Sequence, residues 1–174
     1  MNRRPLKFIT RDKEWELIQR LVTIVDSSKF TPKTHGVIMA SPDYSATVAM
    51  HLAHTWSVGG EILPIIPVDV TYPGESSDFY VKKMTADFKW RKWETSLPRH
   101  LILVEAGIIR GSNWKWMLEV LETFGYARRD VTLVALCENV HSAVKSDYVG
   151  EYYDDETEEL MFYYERFNKH WPIR

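Results

Sequence analysis

The sequence predicts an α/β domain with a mostly parallel sheet flanked by helices, and three observations predict it. Short apolar runs at residues 35–40 (HGVIMA), 61–68 (EILPIIPV), 100–107 (HLILVEAG) and 130–137 (DVTLVALC) have strand length and turn-forming boundaries. These runs are nearly continuous in apolar character, as strands covered on both faces are. Segments of helical spacing lie between them, and the resulting order, β-α-β twice over, calls for parallel strands joined by crossover helices.

Each element has its own grounds. Residues 13–25 carry Trp15, Ile18, Val22 and Val25 near one helical face, with Leu17, Leu21 and Ile24 widening it; Thr10 or Asp12 can cap the start. The run at 35–40 lies between Pro32 and Pro42, which favours a strand over a helix. In SPDYSATVAMHLAHTWSVGG, Ala46, Ala49 and Ala53 recur at helical spacing and permit close approach to a sheet, and Gly59 and Gly60 supply the stop. Pro64 and Pro67 lack an amide proton, so the strand around them is expected at an edge or with a bulge. Residues 69–99 lose regular periodicity, and a stretch of that length in a compact domain serves as a lid, a binding loop or a small irregular hairpin. After the strand at 100–107, Met117, Val120, Leu121 and Phe124 form a helical stripe that Gly125 closes. SDYVGEYYDDETEELMFYYERF reads as a strand, an acidic turn and a second strand.

The totals set the outer bounds. A chain of 174 residues without internal repeat or low-complexity tract is read as a single domain, residues 1–174. That length suffices to bury roughly two-thirds of the unfolded surface. With 45% hydrophobic and 26% charged residues it has the composition of a packed globule. A net charge of -2 provides no general attraction to nucleic acid or to an anionic membrane. No segment approaches the ~20 apolar residues of a bilayer span, and the basic opening MNRRPLKFITRDKEW lacks the apolar stretch of a signal peptide. Cys137 is the one cysteine and sits in an apolar run; it fits a small core residue, and a lone thiol implies a reducing, cytoplasmic setting.

Ligands of parallel sheets sit beyond the carboxyl ends of the strands, which singles out the loops at residues 40–45 and 105–113. In LILVEAGIIRGSNW the strand is read to end at Val104, with Glu105 directly after it. Gly111 allows a tight turn that exposes backbone amides, and Ser112 or Asn113 can cap the helix while its positive end faces an anion. Glu105 stands where a carboxylate can accept sugar hydroxyls or reach a metal through water. An ordinary strand–loop–helix turn with a solvated Glu105 satisfies the same spacing. On the phosphate reading, Gly111→Val is expected to abolish phosphate binding and leave the fold intact.

LILVEAGIIRGSNW resembles the phosphoribosyl-diphosphate signature of the type I phosphoribosyltransferases: an apolar run, two acids, a short Thr/Gly-rich loop and a helix. Glu105 matches the first acid, Gly111 the loop glycine, and Ser112 and Asn113 the small polar residues that hold the 5′-phosphate. FITRDKEWELIQRL resembles the opening helix of the purine salvage branch, HGVIMASPDYSATVAMHLA its strand, pyrophosphate loop and helix, and IIPVDVTY the next strand. SDYV…ELMFYYERF resembles its closing hood. The resemblance implies a fold with a small hood and flexible-loop region. It also implies transfer of phosphoribosyl from phosphoribosyl diphosphate to a purine-type base, with Mg²⁺, in a homodimer. Glu105 would be the catalytic carboxylate. Ile108, Ile109, Arg110, Gly111, Ser112 and Asn113 would form the phosphate loop, Ser41, Pro42 and Asp43 the pyrophosphate loop, and Leu160, Met161 and Glu165 the base-facing hood. Such a reaction passes through an oxocarbenium-like transition state in which positioning and charge neutralisation carry the barrier.

The chain departs from that pattern at specific places. Ala106 replaces the second acid, Arg110 stands at a loop threonine position, and the pyrophosphate loop reads Ser41-Pro42-Asp43. Pro42 offers no amide to a phosphate, and Asp43 would repel pyrophosphate without an intervening cation. Leu160 falls where the purine branch stacks an aromatic on the base. Arg110 either supplies a substitute cation or is a solvated loop arginine. A non-catalytic descendant that binds a nucleotide, a phosphate or a protein partner is therefore the alternative function.

Three further features stand out in the sequence. Residues 79–93 (FYVKKMTADFKWRKW) interleave lysine and arginine with aromatics. They suit a lid over the site or a subunit contact, and less well a single-stranded nucleic-acid surface. The acidic run Glu151, Asp154, Asp155, Glu156, Glu158 and Glu159 lacks the glycine punctuation of a calcium loop and reads as a solvated turn. His35, His51, His54, His100, His141 and His170 show no ligand spacing in sequence.

Overall fold

The computed structural model describes residues 4–25, 30, 35–39, 42–57, 61–67 and 98–163. In chain order the elements are β1 (Leu6–Ile9), α1 (Arg11–Ile24), β2 (His35–Met39), α2 (Pro42–Thr55), β3 (Ile65–Pro67), β4 (His100–Ile108), α3 (Ser112–Thr123), β5 (Val131–Asn139), β6 (Tyr148–Tyr153) and β7 (Glu159–Phe162). A single 3-10 turn, Arg128–Asp130, leads into β5. The main sheet has five strands in the order β3-β2-β4-β5-β6, every pair parallel. β1 and β7 form a separate two-stranded parallel sheet.

The two central strands explain the arrangement. β4 and β5 are nine residues long and buried almost throughout. Along β4 the side chains alternate between two cores, as strand geometry demands. Ile102, Val104 and Ala106 join Leu17, Ile18 and Leu21 of α1 and Val48 and Leu52 of α2. Leu101 and Leu103 join Trp114, Met117 and Leu121 of α3, and Ile108, at the strand's last residue, breaks the alternation and joins this second core too. Each fully buried side chain of this size contributes about 1.5–3 kcal/mol of apolar burial, so the sheet is held from both faces. Cys137 is fully buried in the first core. β3 is the edge strand that Pro64 and Pro67 require, shortened to three residues.

The structure departs from the local sequence pattern at several places and refines it at others. β1 was not anticipated; four residues are too few to show a period, and the partner β7 is remote in sequence. The helix over residues 11–24 buries Glu14, Leu17, Ile18 and Leu21, while Trp15 is 52% and Ile24 44% exposed. The buried face is turned toward β5 and β6, against which α1 packs. Of the two proposed caps Thr10 is the one used, its hydroxyl accepting from the Lys13 amide at 3.1 Å. β4 continues past Val104 to Ile108, so Glu105 lies inside the strand, opposite Ala135. The closing strands fall in different sheets, β6 beside β5 and β7 beside β1. Among the described residues, no helix is long and apolar enough to cross a membrane.

Candidate functional site

The carboxyl ends of β4, β5 and β6 lie side by side, and the turn from β4 into α3 rises between them. This turn, Gly107 to Asn113, lines a cleft of about 430 Å³. Every residue of the proposed phosphate loop contributes to that lining: Ile108, Ile109, Arg110, Gly111, Ser112 and Asn113.

Gly111 is the N-cap of α3 in the left-handed conformation, φ 76° and ψ 6°. That corrects the expectation that Ser112 or Asn113 caps the helix, because no side chain caps it. The first-turn amides have no intrahelical acceptors, and the helix dipole adds partial positive charge at the same end. The first turn contains no acidic residue. Arg110 is exposed beside it, and its guanidinium has no ion pair with any described residue. Ile109 is 55% exposed. Among the described residues the cleft is thus lined by the Arg110 guanidinium, backbone amides, the polar side chains of Ser112 and Asn113 and the apolar Ile108 and Ile109, with no carboxylate. Such a lining suits an anionic group carried on a sugar or other uncharged body.

The back of the turn is packed. A Cβ on Gly111 would lie 2.6 Å from Ser142 Oγ and 2.7 Å from the Val144 amide nitrogen. The Ala143 amide donates to the Arg110 carbonyl at 3.2 Å, and Ser142 Oγ donates to the Val144 carbonyl at 2.7 Å. This wall is the connection from β5 to β6, itself strapped down. Glu138, fully buried at the end of β5, accepts from the Ser146 amide at 2.8 Å, and Trp114 Nε1 of α3 donates to Ser146 Oγ at 2.9 Å. Asp147 accepts from the Leu133 amide and pairs with Arg128, both at 2.8 Å. Gly111→Val would therefore strike this wall, so a loss of stability is expected beside any loss of binding.

Glu105 is only 4% exposed and does not line the cleft. β2 ends opposite Val104, and beyond that end the Glu105 carboxylate meets Ser45 in the first turn of α2, whose Oγ donates to Oε1 at 3.4 Å. Ser45 is fully buried. The two candidate loops converge here, through Ser45 and Glu105. Ala106 is fully buried in the core, a position that a second carboxylate could occupy only at a large desolvation cost.

The hood approaches from β7. A Cβ on Gly107 would lie 3.2 Å from Phe162 and 3.4 Å from Leu160, so glycine at 107 permits β7 to settle over the carboxyl end of β4. Leu160 and Met161 are half-buried, and Phe162 joins the core. Tyr153, 3% exposed, donates to the Ile108 carbonyl at 3.3 Å; burial raises its hydroxyl pKa well above the ordinary tyrosine value, so it remains a donor. Pro42 and Asp43 lie in the backbone of the first turn of α2. Ser41, Glu165 and the basic, aromatic segment at 79–93 fall outside the described residues.

His141, which shows no ligand spacing in sequence, is brought beside two acids by the fold. It stands two residues beyond β5, next to Asp154 and Glu156 of the acidic turn, with its Nε2 3.4 Å from Asp154 Oδ1. Their separation in sequence concealed this; only the pairing of β5 with β6 brings them together.

No family model and no curated protein matches this sequence. Solved structures do match its fold. A purine phosphoribosyltransferase from Pyrococcus horikoshii superposes with a TM-score of 0.63 at 16% identity, covering 96% of each chain. A Helicobacter pylori xanthine-guanine-hypoxanthine phosphoribosyltransferase gives 0.58 at 11% identity over 96% of this chain and 97% of that one. A Neisseria gonorrhoeae protein with bound ppGpp gives 0.59 at 13% identity over 94% and 91%. At these identities the likeness is one of fold, a parallel sheet flanked by helices as in the type I phosphoribosyltransferases.

Proposed function

We propose that this chain binds a phosphorylated ribose, as a nucleotide or as phosphoribosyl diphosphate, with a phosphate seated at the tip of α3. The observation that carries the reading is the cleft of about 430 Å³ lined by Gly107 to Asn113. There Arg110 and the uncapped first turn of α3 meet with no acid among the described lining residues. Backbone amides and the helix dipole supply attraction, Arg110 adds a charge-assisted contact, and the hood strand β7 closes one side through its contact with Gly107. The structural likeness to a protein holding ppGpp supports a guanine nucleotide as the first ligand to try.

Phosphoribosyl transfer to a purine-type base is the second reading, favoured by end-to-end likeness to purine phosphoribosyltransferases. Glu105 would be its carboxylate. The described donors do not fit a protein-held Mg²⁺ in the cleft: Glu105 is buried and engaged with Ser45, and Ala106 is apolar. Binding without turnover is therefore the expected behaviour.

Calorimetry with phosphoribosyl diphosphate, GMP and ppGpp tests the binding reading. A charge-assisted hydrogen bond contributes about 1.5–3 kcal/mol, and solvent screening at an exposed arginine brings that toward the lower end, or roughly tenfold in affinity. Arg110→Gln is expected to weaken binding by that factor. Unchanged affinity in the variant, or no binding by any of the three compounds, would refute the assignment. Pyrophosphate release with a panel of purine bases separates the two readings, since release supports transfer and its absence alongside binding supports the first.

A further inference from the structure

We propose that His141, Asp154 and Glu156 form a site for a divalent cation of the zinc class, separate from the α3 cleft. One candidate donor atom from each side chain lies within 4.8 Å of the others. The His141 Nε2 to Asp154 Oδ1 distance, 3.4 Å, is close to the ligand-to-ligand edge of a tetrahedral zinc site, about 3.3 Å for bonds of ~2.0–2.1 Å. Glu156 offers the third donor within the same 4.8 Å, which leaves a fourth position for a water ligand. An imidazole with two carboxylates suits zinc-class metals; calcium and magnesium favour all-oxygen ligand sets.

Two independent features mark the cluster as more than an acidic turn. The first is its framework. Asn139 pairs with Tyr153 at the ends of β5 and β6, and the Val140 amide donates to the Tyr153 carbonyl at 2.8 Å. His141 and Asp154 therefore leave adjacent strand ends at a fixed separation. The Glu156 amide bonds Asp154 Oδ1 at 2.9 Å, and the Glu158 amide bonds the Asp154 carbonyl at 2.9 Å, so the turn is set before any ion arrives. The second feature is its charge. Lys7 pairs with Glu151 and Glu158, and Lys13 pairs with Glu151 and Glu16. Among the described residues no lysine or arginine pairs with Asp154, Asp155 or Glu156. A bound dication would neutralise that excess and tie the end of β5 to the turn that leads into β7.

The test uses the full, tag-free chain stripped with chelator and titrated calorimetrically with Zn²⁺, and separately with Mg²⁺ and Ca²⁺. One Zn²⁺ per chain is expected, bound far more tightly than either alkaline-earth ion. His141→Asn and Glu156→Gln should each weaken it by tenfold or more, since even an outer-sphere partner carries roughly 10–100-fold. Both side chains are exposed, so metal-free circular dichroism should match the parent chain. Co²⁺ should give visible d–d absorption of low-coordinate type that His141→Asn removes. Absence of Zn²⁺ binding overturns the proposal. Zn²⁺ binding that survives both substitutions, or equal affinity for Mg²⁺ with no effect of His141→Asn, overturns it as well.

Discussion

Replacing Gly111 by alanine tests whether the phosphate-loop turn is braced from behind. The residue has φ 76°, and a side chain in the left-handed region costs about 1–2 kcal/mol. The new Cβ would lie 2.6 Å from Ser142 Oγ, 2.7 Å from the Val144 nitrogen and 3.0 Å from the Val144 carbonyl oxygen. Two of these are backbone atoms, so the β5–β6 connection must shift; overpacking of this kind costs about 1–3 kcal/mol. The sum is about 2–5 kcal/mol, a large share of the ~5–15 kcal/mol that holds an ordinary domain together. Gly125 is the natural control. It follows α3 at φ 87°, with nothing within 4 Å of its would-be Cβ. There the Gly125 amide bonds the Glu122 carbonyl and the Tyr126 amide bonds the Leu121 carbonyl, the paired bonds of a Schellman motif. Gly125→Ala should thus lose only the backbone term, about 1–2 kcal/mol. Urea unfolding of both variants gives the difference directly, with the slope against denaturant checking that the same surface is exposed. Equal losses at the two positions would show that Ser142 and Val144 do not press on the turn, and the bracing argument would fail.

Three further outcomes follow from buried groups. Glu14 is 2% exposed with Oε1 lacking a hydrogen-bond partner; desolvation raises its pKa above 4.5, opposed by a hydrogen bond from Tyr163 and the charge of Arg11. The folded state therefore holds this proton more tightly than the unfolded state, and stability falls as pH rises from the unfolded value through the raised folded one. Glu14→Gln should be more stable than the parent at neutral pH, with the advantage vanishing at acid pH; an advantage independent of pH would refute the buried-carboxylate account. Cys137 is fully buried, and burial pushes its thiol up to about 12. A thiol reagent at mildly alkaline pH should label it only after denaturation, and rapid labelling of the native chain would contradict its place in the core. Ser45→Ala leaves the Glu105 carboxylate without its 3.4 Å donor. Loss of a buried hydrogen bond of this kind should cost about 1–3 kcal/mol in thermal or urea unfolding, and no loss would show that Glu105 is held by other contacts.

Much of the architecture could be read from local pattern. The apolar runs became β2, β4 and β5, the alanine-spaced segment became α2, and the Met117-to-Phe124 stripe became α3. The prolines around β3 placed it at an edge. These succeed because period and turn chemistry act over a few residues. The cleft was legible for the same reason, as strand, glycine and helix follow one another within a single short run.

Other features depend on neighbours far away in the chain. β1 is a strand because β7 lies beside it; the Leu6 to Glu159 pairing cannot be seen in four residues of LKFI. Trp15 is half-exposed and Glu14 buried because α1 packs against β5, β6 and α2, contacts remote in sequence that set which face turns inward. Glu105 was expected to face solvent and a ligand, and the extension of β4 to Ile108 buried it against Ser45. Local spacing thus determined the order of strands and helices and the position of the glycine turn, since those are set by backbone conformations a few residues long. Only tertiary packing decided which face of each element turned inward, where charges were left unpaired, and that His141 came to stand beside Asp154. Contacts between remote segments have no period in the chain and arise only when the sheet is assembled.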